Sequence, residues 1–293
     1  KGMADMGRLG IVGHSRGGEL AVMLARDSQA PQAKAYATSQ AKAYATKAVL
    51  QVAASPVLID PAPGLPVPLG TIQAMCDGDV QDLSGQVFYE ALRLAVGQTA
   101  WANAVFLERA NHNGFNTMLE GDPFGLRGRP DCATLLDPTT QQDFLAAYAT
   151  AFFDSVFVGG AQAEQSLMGL GMDARLAVPQ QVGGLDARIA SLYPAEKRTV
   201  LFTPASEAEL TTNKLGGTVT AEGVTTHFCP EGYYTPTMKP GSEPCRRATV
   251  SMPGQPALAV VDWQGASALR FAVPEGQRDW SEAVAISLRV AVD

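Results

Sequence analysis

Long apolar runs are missing from this chain. No stretch of about 18 uncharged apolar residues occurs in its 293 positions, so no segment offers a bilayer-spanning helix. Basic charge is also in short supply. Lys and Arg number 22 against 29 Asp and Glu, a formal net charge of −7. Nucleic-acid phosphates demand a basic face, so no nucleic-acid partner is expected. None of the four cysteines stands in a CxxC spacing. That argues against structural zinc or a dithiol redox motif, and no metal or organic cofactor is implied. Histidine is scarce too. Only His14, His112 and His227 are present, so chemistry that needs an imidazole has three places to look.

The cysteines fall in two sets, Cys76 with Cys132 and Cys229 with Cys245. An even count in a Lys-poor, Pro- and Gly-rich chain predicts disulfides, and hence an oxidising, extracellular compartment. The length allows one large domain or two ordinary ones.

Strand and helix patterns alternate through the first half. RLGIVG is a short apolar run closed by Gly and predicts a buried strand; GGELAVMLAR follows, with Leu20, Met23 and Leu24 at helical spacing. KAVLQVAASP, LGTIQAMC and WANAVFLERA predict three more strands. Between the last two, DLSGQVFYEALRLAV places Phe88, Leu92 and Val96 on one helical face. In TQQDFLAAYATAFFDSVF, Thr140 is the expected helix cap with Asp143 three residues on, and Phe144, Tyr148 and Phe152 form an apolar stripe. The order is that of a mainly parallel α/β sheet. The heptapeptide QAKAYAT occurs at 32–38 and again at 40–46, a step too short for a solenoid repeat. It is expected to extend a surface helix or loop.

The character changes near residue 159. A Gly-rich connection over 159–196 predicts a linker between an α/β domain at 1–158 and an all-β domain at 197–293. In the latter, Leu269, Phe271 and Val273 alternate, as do Val284, Ile286, Leu288, Val290 and Val292. Short alternating strands between Pro/Gly turns predict an antiparallel β-sandwich, jelly-roll-like, with HFCPEGYYTPTMKPGSEPC as a loop or hairpin stapled by Cys229–Cys245.

The chemistry concentrates around GHSRG, residues 13–17. This fits the G-x-S-x-G elbow, which holds a Ser on a tight strand-to-helix turn. Gly13 and Gly17 are expected where side chains would collide as helix crosses strand. A Ser hydroxyl attacks a carbonyl only when a base takes its proton, and an acid must hold that base in place. Ser15 is the candidate nucleophile, and the backbone N–H of Arg16 is placed to stabilise an oxyanion. The candidate acid lies in AMCDGDV, where Asp77 is favoured as first after the apolar run and Asp79 is the alternative. For the base, His14 lies inside the elbow and is expected to point away from Ser15, and His227 belongs to the β region. His112 in ERANHNGFNT, just beyond a strand, is the choice. The chain order Ser15, Asp77, His112 suits such a triad.

The elbow GHSRGGE, the CDGDV turn and the ANHNGFNT loop together resemble the α/β-hydrolase superfamily. They look most like its dienelactone-hydrolase-like and secreted bacterial esterase/lipase branches, over roughly residues 5–158. The resemblance implies a serine hydrolase acting on carboxylic esters. Ser15 would be its nucleophile, Asp77 the orienting acid and His112 the general base and acid. It also implies a Cys76–Cys132 bridge joining the acid and histidine loops. The C-terminal region resembles no family with comparable clarity.

In that superfamily the elbow follows the fifth strand, so about four strands, together with a loop supplying a second oxyanion donor, are expected ahead of residue 7. Six residues stand there. This chain is therefore expected to hold the C-terminal half of the sheet. The other half would be a separate partner chain or a preceding segment, docked along residues 8–12. Peptidase and polyester-depolymerase activities share the triad. Outside catalysis, an extracellular carbohydrate- or surface-binding protein, or a structural assembly component, would use Tyr233, Tyr234 and Trp263. The Pro-rich stretch IDPAPGLPVPLG at 59–70 would line the substrate site or serve as a rigid connector.

Overall fold

The computed structural model describes residues 5–29, 44–57, 60, 65–81, 83–119, 121, 132–160, 180–230 and 257–283, together with 286 and 288. By contacts the chain divides into two units, Lys1–Lys197 and Arg198–Asp293.

The first unit is built on a mixed six-stranded sheet of order β1-β2-β3-β4-β6-β5. Strands β1 (Leu9–His14), β2 (Thr46–Val52), β3 (Leu69–Ala74) and β4 (Ala102–Leu107) run parallel. Every residue of β3, and nearly every one of β2 and β4, is buried, as a parallel sheet covered on both faces requires. Helices α1 (Arg16–Gln29), α2 (Val87–Leu94) and α3 (Pro138–Phe157) accompany it. On α3 the stripe Phe144, Tyr148 and Phe152 is buried against Leu50, Ile72 and Val105 from the three central strands. Because β1, β3 and β4 are parallel, the loops that follow them leave the same edge of the sheet. That edge is where ligands gather in α/β proteins.

Several expectations need correcting. Residues within 159–196 do not simply link domains. β6 (Leu185–Leu192) returns antiparallel onto β4, pairing Ala102 with Leu192 and Leu107 with Ala187, and β5 (Gln181–Val182) pairs antiparallel with β6. The Gly-rich part of that stretch, 161–179, lies outside the described residues. α3 is capped by Asp137, whose carboxylate accepts from the Thr140 N–H at 2.9 Å, with Pro138 opening the first turn. Thr140 therefore sits inside the helix. Leu20 and Leu24 face outward on α1, 48% and 45% exposed, and the buried face carries Ala21, Val22 and Ala25 instead. α2 ends at Leu94, so Val96 lies beyond it and fully exposed. The first QAKAYAT copy lies outside the described residues. The second ends inside β2, where Thr46 is buried rather than on a surface loop.

The second unit carries one two-stranded antiparallel sheet among its described residues, β7 (Val219–Cys229) with β8 (Leu258–Phe271). Opposite Gly223, β8 bulges and the register shifts. Asn213 braces the base of the hairpin. Its Nδ2 donates to Ala272 O at 2.7 Å, and its Oδ1 accepts from the Leu215 and Gly217 amides. Leu210, Val219 and Cys229 are buried among its described residues. A sandwich needs a second sheet over the first, and no second sheet occurs among the described residues of this unit. Ile286 and Leu288 are not in a strand and are more than 80% exposed, and the rest of the 284–292 alternation lies outside the described residues. Among the described residues no helix is long and apolar enough to cross a membrane.

Candidate active site

Ser15 occupies the single residue between β1 and α1 and has φ +56°, a left-handed conformation that costs a non-glycine residue energy. The surroundings enforce it. The Ser15 N–H donates to Val52 O, and Ser15 O accepts from the Gly18 and Ser55 amides. A Cβ on Gly13 would lie 2.0 Å from the Gly17 carbonyl oxygen, and one on Gly18 would lie 2.7 Å from Ala54 Cβ. The glycines this packing requires are therefore Gly13 and Gly18. A Cβ on Gly17 would meet nothing within 4 Å, contrary to the expectation from the pentapeptide. Gln51, buried in β2, donates to Gly18 O at 3.0 Å and holds the first turn of α1. Among the described residues the Arg16 N–H has no hydrogen-bond acceptor. It opens α1 at the end where the helix dipole favours negative charge.

Asp77 and His112 meet. His112 Nδ1 is 2.8 Å from Asp77 Oδ2, and the two side chains are 3% and 1% exposed. The second oxygen of Asp77 accepts from the amides of Asp79 at 2.9 Å and Val80 at 2.6 Å. With Nδ1 turned to this carboxylate, the ring proton sits on Nδ1, which leaves Nε2 as the basic nitrogen. The alternative acid, Asp79, lies on the other side of the ring, its Oδ2 3.5 Å from Nε2 and its side chain half-exposed. Ser15 makes no side-chain hydrogen bond among the described residues, so its hydroxyl is not joined to His112.

The loops carrying acid and base are tied to each other. Cys76 N–H donates to Ala110 O at 2.8 Å, and Met75 N–H to Leu107 O. Cys76 is disulfide-bonded to Cys132, which anchors the acid turn to the segment entering α3. Cys229 is disulfide-bonded as well, and Cys245, its expected partner, lies outside the described residues. Gln141 on α3 is completely buried and clamps the histidine loop. Its Oε1 accepts from Asn111 N–H, and its Nε2 donates to Asn111 Oδ1 and Leu136 O.

His14 points toward the histidine loop. Its Nε2–H donates to His112 O at 3.0 Å, and the two rings lie 4.6 Å apart. Burial, and then the neighbouring His112, push its basicity down, so His14 stays neutral. Sequence reasoning sets His14 aside and misses Gln51 and Gln141. No local pattern marks them, because each acts across strands far apart in the chain. His227 lies in β7 with its ring half-exposed near Asp262. Tyr233, Tyr234 and residues 59 and 61–64 of the 59–70 stretch lie outside the described residues, and Trp263 on β8 is 56% exposed.

The arrangement brings together a strained Ser at a helix N-terminus and a buried carboxylate–imidazole pair, all on one sheet edge. A comparison of the chain with protein-family models found no match, and neither did a comparison with curated protein sequences.

Proposed function

We propose that this chain is the catalytic part of a secreted serine hydrolase that cleaves carboxylic esters through an acyl-enzyme. One observation carries the reading. His112 sits on a buried carboxylate through Nδ1, at the sheet edge where the Ser15 elbow also ends, and His14 of that elbow donates to His112 O. In the first step Nε2 of His112 takes the Ser15 proton as Oγ attacks the ester carbonyl carbon. The Arg16 N–H donates to the resulting oxyanion. The tetrahedral species then collapses, the C–O bond to the alcohol breaks, and Nε2 returns the proton to the leaving oxygen. Water, deprotonated by the same nitrogen, attacks the acyl carbon and frees the acid and Ser15. Asp77 holds the ring and stabilises the imidazolium at each step.

Extracellular residence is supported by two disulfide-bonded sites, at Cys76–Cys132 and Cys229. The proposed partner, the other half of the sheet, is supported by β1. This strand ends the sheet order and leaves Val12 50% exposed beside outward-facing Leu20 and Leu24.

A fluorophosphonate probe tests the function on protein purified with whatever accompanies it. Covalent labelling of Ser15, lost in Ser15→Ala and strongly reduced in His112→Ala, is the expected result. A panel of p-nitrophenyl esters of rising chain length then separates esterase from lipase and polyester activities. Failure to label would sink the enzyme reading. The exposed Trp263 would then favour surface or glycan recognition by the second unit.

A further inference from the structure

The imidazole of His112 has a carboxylate at each ring nitrogen. Asp77 Oδ2 is 2.8 Å from Nδ1 and Asp79 Oδ2 is 3.5 Å from Nε2. The two acids are held very differently. Asp77 is buried and its second oxygen takes two backbone amides. The Asp79 side chain is 50% exposed, and its carboxylate accepts no hydrogen bond among the described residues. Its 3.5 Å approach to Nε2 is an ion-pair distance, longer than a good N–H···O hydrogen bond. Asp79 is therefore able to swing toward solvent, and Asp77 is not.

Nε2 is the nitrogen that has to be bare to take a proton from Ser15. When it carries a proton, the imidazolium lies between two carboxylates and both contacts are attractive. When it is bare, its lone pair faces the Asp79 oxygen and that contact becomes repulsive. Asp79 thus favours the protonated ring, the form unable to act as a base.

We propose that Asp79 is a positioning residue that competes with Ser15 for Nε2 of His112 and sets the pH above which the histidine serves as a base. The competition rests on the hydrolase reading above, whereas the contact between Asp79 and His112 does not. Titratable and polar groups face the imidazole from several elements. Asp77 and Asp79 come from the turn after β3. His14 comes from the end of β1 and is kept neutral by burial and by His112 itself. Gln141 reaches the adjoining Asn111 from α3 and is uncharged. An opposite charge at this distance shifts a pKa by about one to three units, and solvent screening of a half-exposed group puts Asp79 at the low end.

The test follows the His112 imidazole by NMR titration in the full chain, in Asp79→Asn and in Asp79→Ala. The rate of fluorophosphonate labelling of Ser15 is measured over the same pH range. Both substitutions are expected to lower the His112 titration midpoint by about one unit. The acid limb of the labelling rate is expected to move down with it, and Asp79→Glu is expected to restore part of the shift. A midpoint unchanged within about 0.3 unit in both variants overturns the proposal, and Ser15 labelling that persists in those variants leaves the hydrolase reading standing. A shifted midpoint with no Ser15 labelling in any variant overturns the competition together with that reading.

Discussion

The two sides of the candidate site are built to different standards of rigidity. On the acid–base side, Asp77 and His112 are 1% and 2% exposed. Their loops share backbone hydrogen bonds, a disulfide and the Gln141 clamp. On the nucleophile side, Ser15 leaves the last strand of the sheet order, beside exposed Val12, Leu20 and Leu24. The elbow itself is tightly packed around Gly13 and Gly18, but among the described residues the strand that carries it has a strand neighbour on one side only. The comparison teaches that local geometry and support are separate achievements. A strained turn is fixed by a few close backbone contacts, whereas its placement against a distant base depends on how firmly its strand is held.

Breaking the better-supported side should have the largest effect. In Asp77→Asn the ring keeps its neighbours but loses the charge that fixes its tautomer and stabilises the imidazolium. Ester turnover is expected to fall about 10⁴-fold with the fold intact. A loss below tenfold, with an unchanged circular dichroism spectrum, would show that Asp77 is not the orienting acid. Next comes the Cys76–Cys132 bridge, which closes a separation of 56 residues. A chain-entropy treatment gives about 4 kcal/mol for a loop of that length. The Cys76→Ala/Cys132→Ala pair should lower the urea midpoint accordingly and weaken labelling further by loosening the acid turn. A stability change under about 1 kcal/mol would mean that the hydrogen bonds between the loops suffice without the bridge.

Much of the first unit was legible because its signals are local. Short apolar runs mark β1 to β4, the first of them closed by Gly, and the 3.6-residue stripe Phe144, Tyr148, Phe152 marks the buried face of α3. Asp77 stands out as the first acid beyond the run that forms β3, and His112 as the histidine that follows β4 when the chain holds only three; parallel strands deliver such residues to one edge. The parts that were missed depend on partners far away in the chain. Leu20 and Leu24 have helical spacing, but periodicity does not say which side of β1 is covered. Asp137 outcompetes Thr140 as cap because Pro138 after it fixes the first turn. β5 and β6 sit in a Gly-rich stretch without strong alternation, and only the pairing of β6 with β4 and of β5 with β6 makes them strands. His14 looked like a residue directed away from the chemistry, because the elbow pattern describes Ser15 alone. In the second unit, Leu269 and Phe271 fall in β8 and Val273 beyond its end, and β8 is a largely exposed ribbon whose burial does not alternate along its length. Alternation shows that two faces differ, and it does not supply a sheet to cover either one.

The smallest expected effect probes the weaker side directly. Leu24 is 45% exposed on α1, so Leu24→Gln removes little buried apolar surface from the isolated chain. Its stability should change by about 0.5 kcal/mol or less, as read from urea denaturation. If the β1–α1 face is covered in the working protein, the same substitution should release a co-purifying polypeptide, or destabilise the complete assembly by well over that amount. Placing a polar amide against an apolar partner surface costs the contact and leaves the amide unpaired. A loss of several kcal/mol in the isolated chain would mean that Leu24 is buried in solution. The nucleophile strand would then be as well supported as the acid–base loops, and the contrast between the two sides would disappear.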